Sequence, residues 1–558
     1  VTPTRPLPRW LLGALVLLPA LPYLWIVPHA GRLQYNDYYG TLAKVVDGDR
    51  FTRDPLRWLT VKSNEHTVAV AAAVYALNVA LTRGDNRALA AWSVLMMALT
   101  AAALWRLLPE ELARAGPAGA ASAIVVGAMA FTPVAVHNVV MGFSGVMWLT
   151  ANALAVWAVV ALRRATGEGA WRWVAVAGGL ALVASLTYST GIAAWPALLL
   201  AAAAWRLPWR RVLPLVGLGL LDLAFEAATY TRPAELPAPS AGGGVGLIRY
   251  LAAYLGHLWG LHTVAAAAGL AGLALGLALA VPLWRRPAAR GALAPWFAVG
   301  GYALVNAVTT ALARMQLGNA RSSRYATLAA LYWLAVLVAA AWLVARIGGR
   351  RSRRLAAAGL AGLCVALVVA MTGRGRSLTR DYLARAARQP LAGLALVHGI
   401  EDLETLRAVH TSPFTREQLR VVRQMLRRLR HVPFERPPRV RYGERPGGAV
   451  AGGCAGVAVR VVRSEPVGPA VLRLEGVVRG VQGPVRLALV DRRGLVAGAG
   501  VAMPPPWPGA AGWPRGRAVR WAGYLAVAGA RGGVEILLAR DDGWCRAGPL
   551  SPGGGATP

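Results

Sequence analysis

Acidic residues are scarce in this chain. Only 25 Asp and Glu stand against 60 Lys and Arg in 558 residues, a net charge of +35. In a soluble protein that imbalance would point to nucleic acid. Here the arginines cluster between apolar runs, where they orient helices and meet anionic lipid, so no nucleic-acid partner is expected. Cysteine is nearly absent too, with three in all. Cys364 lies in an apolar run, while Cys454 and Cys545 bracket the C-terminal region. They form a disulfide if that region lies outside the cytosol, or else remain two free thiols. Neither a second histidine nor a carboxylate stands at metal-ligand spacing from His66, so no zinc site is expected. No internal repeat is visible, which argues against a transporter.

Apolar length is what the chain has in abundance. It is 56% hydrophobic, and runs of about 17–22 apolar residues meet the length criterion for a polytopic helical membrane protein. Spans are read at 10–27, 88–108, 118–136, 146–162, 171–187, 190–205, 211–230, 263–283, 291–312, 326–346 and 355–371. The Arg-rich connections at Arg163-Arg164, Arg206 to Arg211, Arg285 to Arg290 and Arg346 to Arg354 belong in the cytoplasm by the positive-inside rule, as does the N-terminus with Arg5 and Arg9. The first run reads as a retained anchor rather than a removable signal peptide ending near Pro28-His29-Ala30. A crossing at 66–81 would break the agreement between these assignments. That segment, short and carrying Tyr75 and Asn78, is read as a helix lying in or against the outer leaflet.

The resulting external connections are 28–87, His137 to Gly145, Thr231 to His262 and Leu317 to Tyr325. Ala234 to Gly244 reads as a flexible loop and a candidate substrate gate, leading into an interfacial helix from Ile248 to Trp259. The domains expected are a transmembrane domain at 1–371, an Arg-rich helical linker region at 372–446, a β-rich extracytoplasmic domain at 447–550 and a disordered tail at 551–558. Short Val-rich strands between Gly and Pro turns in the third of these read as a small β-sandwich.

Chemistry is expected on the external face. Asp37, about ten residues after the first span, is placed to act as general base toward an acceptor hydroxyl or to bind a metal; the alternative is a surface Asp in a turn. Asn36, Tyr38 and Tyr39 flank it with hydrogen-bonding and stacking groups suited to sugars. Glu65 and His66 are read as opening the helix of 66–81, with Ser63 or Asn64 as N-cap, which is also a capping explanation for the Glu. Asn319, Arg321, Arg324 and Tyr325 precede the span at 326–346. Two arginines outside, before a helix N-terminus, call for an anionic partner such as a phosphate. His137 and Asn138 sit in a small, charge-free connection read as cavity wall.

With these motifs in place, the chain resembles the GT-C superfamily of polyprenyl-phosphate-sugar-dependent membrane glycosyltransferases. Asp37 in Gln34-Tyr35-Asn36-Asp37-Tyr38-Tyr39 matches the acidic residue that follows the first span in that superfamily, and 66–81 matches its non-crossing helix. Ser63-Asn64-Glu65-His66 and Ser322-Ser323-Arg324-Tyr325-Ala326-Thr327 look like phrases of a bacterial GT-C-like group. The resemblance covers residues 10–371 in layout.

It implies a mainly α fold: a polytopic transmembrane helical bundle of the GT-C type, with a small C-terminal extracytoplasmic β-sandwich-like domain. It implies a multi-pass protein of the bacterial cytoplasmic membrane that transfers a sugar, with inversion, from a polyprenyl-phosphate donor to an envelope glycan or protein acceptor. Asp37, Glu65 and His66 would be catalytic, with Asn36, Tyr38, Tyr39, Asn64, His137, Asn138, Asn319, Arg321, Arg324 and Tyr325 contacting substrate. The chain lacks the second acidic pair that metal-dependent members carry, so the resemblance implies a metal-independent route, with a divalent metal ion as the one cofactor left open. The alternative is a non-catalytic transporter or assembly factor for envelope polysaccharide, for which Asp222 and Glu226, one turn apart within a span, would mark a proton path.

Overall fold

The computed structural model describes residues 8–113, 116–167, 169–231, 243–260, 262–410, 415–435, 440–481, 485–503, 518–530, 533–540 and 543–550. The expected gate at Ala234–Gly244 lies almost entirely outside the described residues, as does the tail at 551–558. Two compact units are present. The first takes Val1–Ala30, Thr52–Leu77 and Arg87–Thr379, the second Gly31–Phe51, Asn78–Asn86 and Arg380–Pro558. The first long connection is therefore shared out between the units rather than forming one lobe.

The first unit is a helical bundle. Among the described residues nine helical segments are long and apolar enough to cross a membrane: Trp10–His29, Asn86–Leu107, Pro117–Val140, Gly142–Arg164, Ala170–Thr187, Thr263–Arg285, Pro287–Leu317, Ser323–Val344 and Arg350–His398, the last running on into the second unit. The protein is a multi-pass membrane protein. Two further expected spans are present as helix but fall short of that measure. Ser189–Ala204 is shorter, and Trp209–Ala228 carries Arg210, Arg211, Asp222 and Glu226. Bilayer-spanning helices pack through van der Waals contact, so small residues mark their close crossings. A Cβ on Gly256 would fall 1.6 Å from the Ala265 carbonyl oxygen, and one on Gly269 1.8 Å from that of Ala252. Only glycine fits at either place.

The bundle has two chemically distinct ends. At one, Arg163 donates to the Arg106 carbonyl at 3.0 Å, Arg211 to that of Ala165 at 3.0 Å, and Arg346 pairs with Glu111 at 2.7 Å. Arginine forks close the C-termini of helices there, where the backbone dipole favours positive charge. Pro287–Arg314, a 28-residue helix roughly 40 Å long at the usual helical rise, carries the chain from this end to the other.

Short hairpins pair β1 (Val46–Asp47) with β2 (Arg50–Phe51) in the second unit, and β3 (Lys62–Ser63) with β4 (His66–Thr67) in the first. The expected helix at 66–81 begins later, at Ala69, and runs to Thr82. Asn64 adopts a left-handed backbone, φ 53°, which suits a two-residue hairpin turn and not a helix N-cap.

The second unit joins a helical layer to a β domain. Its strands are β5 (Ala449–Gly453), β6 (Ala458–Pro466), β7 (Val471–Arg479), β8 (Arg486–Asp491), β9 (Val496–Ala502), β10 (Ala518–Ala526), β11 (Val534–Arg540) and β12 (Gly543–Pro549). They form one sheet of eight in the order β5-β12-β11-β8-β9-β10-β7-β6. The sheet curls so that Val461 of β6 and Cys545 of β12 share one core with Val478, Leu489 and Trp521, giving a sandwich-like interior from a single sheet. The expected charged helix is Arg416–Arg428, opened by a Thr415–Gln418 capping box. It buries Leu419, Val422, Met425 and Leu426. Arg423 on it donates to the Leu396 carbonyl at 2.6 Å, closing the helix Gln389–His398.

Of the two states left open for Cys454 and Cys545, the structure shows the disulfide, joining residues 91 apart. Closing a loop of that length is worth about 4–5 kcal/mol to the folded state. Full-length protein with both cysteines changed to serine is expected to unfold at lower denaturant than wild type, followed by tryptophan fluorescence. Wild type treated with reductant should match the variant, and an unchanged midpoint in both would show the bridge to be idle.

Candidate active site

At the end of the bundle away from the arginine turns, the β3–β4 hairpin sets Lys62, Glu65 and His66 among the helices Ala170–Thr187, Trp209–Ala228 and Pro287–Arg314 and the turn Ser189–Ala193. Lys62 is buried, its side chain 8% exposed, and its ammonium pairs with Glu226 at 3.1 Å and donates to Thr67 Oγ1. Arg314, the last residue of its helix, is ion-paired to Glu65. The same guanidinium lies 3.3 Å from His66 Nε2, and His66 Nδ1 lies 2.7 Å from Ser189 Oγ. An N–H aimed at Nε2 makes that nitrogen an acceptor, which leaves the ring proton on Nδ1, donated to Ser189. The 3.2 Å approach of Nε2 to Glu65 Oε1 is then two acceptors sharing the Arg314 fork. Burial pushes the imidazole down to about 4, with Arg314, Arg324 and Lys62 adding to the shift against the opposing Glu65 carboxylate. The ring is neutral at physiological pH.

Aromatic rings continue from the imidazole. His66 meets Tyr188 at 4.6 Å between centroids, Tyr188 meets Trp148 at 4.8 Å, Trp148 meets Tyr325 at 5.3 Å, and Tyr325 stacks on Tyr254 at 5.0 Å. Arg324 lies 5.8 Å over the Tyr325 ring, its Nε donating to Ser322 Oγ at 3.1 Å. Asn138 fixes the backbone here by donating to the Arg324 carbonyl at 3.2 Å while accepting from Ser144 at 2.8 Å. The His137 amide donates to Ser323 Oγ at 3.3 Å. Asn319 accepts from Tyr250 at 3.4 Å, and Arg321 is half-buried within electrostatic reach of Arg374. Asn64 is exposed at the hairpin tip.

Of the site residues expected from sequence, Asn64, Glu65, His66, His137, Asn138, Asn319, Arg321, Arg324 and Tyr325 thus belong to the first unit. Asn36, Asp37, Tyr38 and Tyr39 belong to the second. There Asp37 opens the helix Asp37–Ala43 and is exposed, after Asn36 at φ 40°. Tyr38 and Tyr39 do not fit a substrate-stacking role. Both are buried, with Tyr38 Oη 3.1 Å from His431 Nε2 and Tyr39 donating to the Gln34 carbonyl at 2.9 Å. They are packing groups of that unit.

Lys62, Arg314, Tyr188, Ser189 and Trp148 are not singled out from sequence, whereas Tyr254 falls in the helix read as interfacial. The argument that raised Arg324, a cation at the end of the bundle expected to lie outside, applies equally to Arg314. Asp222 accepts from Trp195 Nε1 at 2.7 Å and Glu226 holds Lys62, so both are anchored groups rather than a free proton path. One oxygen each of Glu65, Asp222 and Glu226 is buried without a hydrogen-bond partner among the described residues, leaving acceptors for donors the chain does not supply. Among the described residues no three His, Cys, Asp or Glu side chains converge as a metal site. The Glu65–His66 pair offers two ligands with a guanidinium between them, a donor set that does not fit a divalent cation.

No family model matches the chain, and no curated protein matches it in sequence. Among solved structures it is similar to ArnT from Cupriavidus metallidurans in the apo state, at 16% identity over 73% of this chain and 85% of that one, with a TM-score of 0.40. Likeness at that level leaves function to be argued from the site itself.

Two outcomes follow for this cluster. Arg314→Met strands a buried carboxylate and is expected to destabilise the protein by about 3 kcal/mol, whereas adding Glu65→Gln should restore most of the loss in thermal melts in detergent; equal losses in both variants would contradict the pairing. Between pH 6.5 and about 4 the unfolded chain binds a proton at His66 that the folded one refuses. Stability is therefore full above pH 6.5 and falls as pH drops toward 4. His66→Gln should lose part of that slope, and a slope identical to wild type would count against a neutral buried His66.

Proposed function

We propose that this chain is an integral membrane glycosyltransferase of the GT-C type, moving a sugar from a polyprenyl-phosphate donor to an envelope glycan or protein acceptor on the extracytoplasmic face of a bacterial cytoplasmic membrane. One observation carries the reading. At one end of a membrane bundle, Lys62, Arg314 and Arg324 gather with buried carboxylate oxygens that lack donors and with a continuous aromatic wall. Cations suit the lipid phosphate, open carboxylate oxygens accept from sugar hydroxyls, and rings stack on the apolar face of a pyranose or a prenyl unit.

The transfer is a single displacement. An acceptor hydroxyl attacks the anomeric carbon, the new C–O bond forms as the bond to the phosphate oxygen breaks, and polyprenyl phosphate leaves with the electron pair. Arg324, with Arg321, neutralises the departing phosphate. Glu65 accepts from donor-sugar hydroxyls, and neutral His66 holds its place through Ser189. The acceptor proton goes to Asp37, an assignment that rests on its position after the first span. The arginine turns at the opposite end of the bundle support a cytoplasmic placement of that end and of the N-terminus. The Cys454–Cys545 bridge supports an extracytoplasmic C-terminal domain.

The test is release of polyprenyl phosphate by the purified protein in nanodiscs from a panel of polyprenyl-phosphate sugars. Wild type should turn over at least one donor. Arg324→Ala is expected to lower donor affinity by about tenfold or more, and Asp37→Asn to lower turnover by a factor on the order of 100 to 1,000 with the fold retained. Turnover untouched in Asp37→Asn would remove the base assignment. Failure of every donor to bind or react would remove the transferase reading.

A further inference from the structure

The second unit holds a cavity of about 270 Å³ whose walls include Arg388, Glu404, Arg463, Arg473, Glu475 and Arg520. None of these residues has a part in the chemistry proposed above. Strand alternation explains how so many charges reach one place. Arg473 and Glu475 of β7 share a face, Arg463 pairs in register with Glu475, and Ala522 of β10 pairs with Glu475 from the other side. The opposite face of the same strands supplies Leu474, Trp521 and Leu525 to the apolar core.

Arg473 is the fixed centre of these charges. Arg473, 9% exposed, donates to Asp402 at 3.1 Å and Glu404 at 2.8 Å, and is also ion-paired to Glu465. Asp402 is held in turn by Tyr524 at 2.8 Å and Thr405 at 2.6 Å. Arg520 pairs with Glu475 at 3.0 Å, and Arg463 with Glu465. The Arg473 Nε–H remains without an acceptor among the described residues. Leu391 and Met503 add an apolar wall.

A cavity whose walls carry four arginines and two glutamates, with Arg473 paired to Glu404 and Arg520 to Glu475, presents donors and acceptors side by side. A bare anion or cation entering it meets charge of its own sign as well as the opposite one. A vicinal diol meets a partner for each hydroxyl, since every hydroxyl both donates and accepts, and the apolar wall matches the C–H face of a pyranose ring. From this placing of guanidinium–carboxylate couples beside an apolar wall in one cavity, we infer that the second unit binds a saccharide residue, recognised through its hydroxyls. An acceptor glycan is the class of molecule such a site would hold.

Saturation-transfer NMR on the full-length protein in nanodiscs tests this, using D-glucose, D-galactose, D-mannose, N-acetyl-D-glucosamine and L-arabinose, with inorganic phosphate as competitor. At least one sugar should show saturable transfer that phosphate does not displace. Arg520→Gln and Glu475→Gln, both at partly exposed pairs, should each weaken that binding at least fivefold. Ala387→Phe, which fills the cavity without touching an ion pair, should abolish it. The inference is overturned if no sugar gives transfer, if transfer persists in all three variants, or if phosphate displaces the sugar, which would make this an anion site. Donor turnover without acceptor, measured on the same samples, should be unchanged in the variants, so that loss of sugar binding and loss of transferase activity are read separately.

Discussion

Charge compensation inside an apolar bundle is the constraint on which the first unit depends. Glu65 and Glu226 are carboxylates withdrawn from solvent, and each ion so placed costs several kcal/mol unless it is paired. Arg314 and Lys62 supply those pairs, and two of the four charges, Lys62 and Glu65, are carried together on a hairpin that turns the chain at Asn64 and Glu65. The hairpin is small, yet it ties together the end of one long helix, the charged stretch of another and the turn that carries Ser189. Of the charges that keep Trp209–Ala228 from reading as an ordinary span, Glu226 is accounted for by this arrangement.

The neutral state of His66 has the same origin. A charged imidazole there would add a further buried cation beside Arg314, Arg324 and Lys62, with Glu65 already engaged. Exclusion of water and the surrounding cations together keep the proton off. The ring then works as an acceptor toward Arg314 and a donor toward Ser189, and it forms the first member of the aromatic series that ends at Tyr254. Around Arg324, Asn138 fixes the backbone carbonyl and Ser322 accepts from the guanidinium Nε.

Much of the layout was legible before any coordinates. Spans are legible because a bilayer demands long apolar runs, and the short helix after His66 because its run is apolar. Arg321 and Arg324 stand out because the span assignment sets them on the external face, where the positive-inside rule disfavours arginine. The hairpin was misread as a helix start, since Glu after Ser-Asn satisfies capping rules, whereas the left-handed backbone at Asn64 and the Lys62–Thr67 pairing depend on partners distant in sequence. Tyr38 and Tyr39 looked like sugar-stacking groups because aromatics beside an acidic residue serve that purpose in many sites. Their burial, with Tyr38 against His431, is invisible without the second unit's packing.

By itself the sequence determined that this is a multi-pass membrane protein with a β-rich C-terminal region, and it located the arginine turns and the pair of cysteines able to bridge. Those properties follow from local composition and from period, which the solvent reads segment by segment. Tertiary structure alone decided which cation holds which carboxylate, that His66 is neutral, that the β strands close into one curled sheet, and that Asp37 and Glu65 fall in different compact units. Each of these depends on groups separated by tens to hundreds of residues, and burial gives such contacts their energy only once the chain has folded.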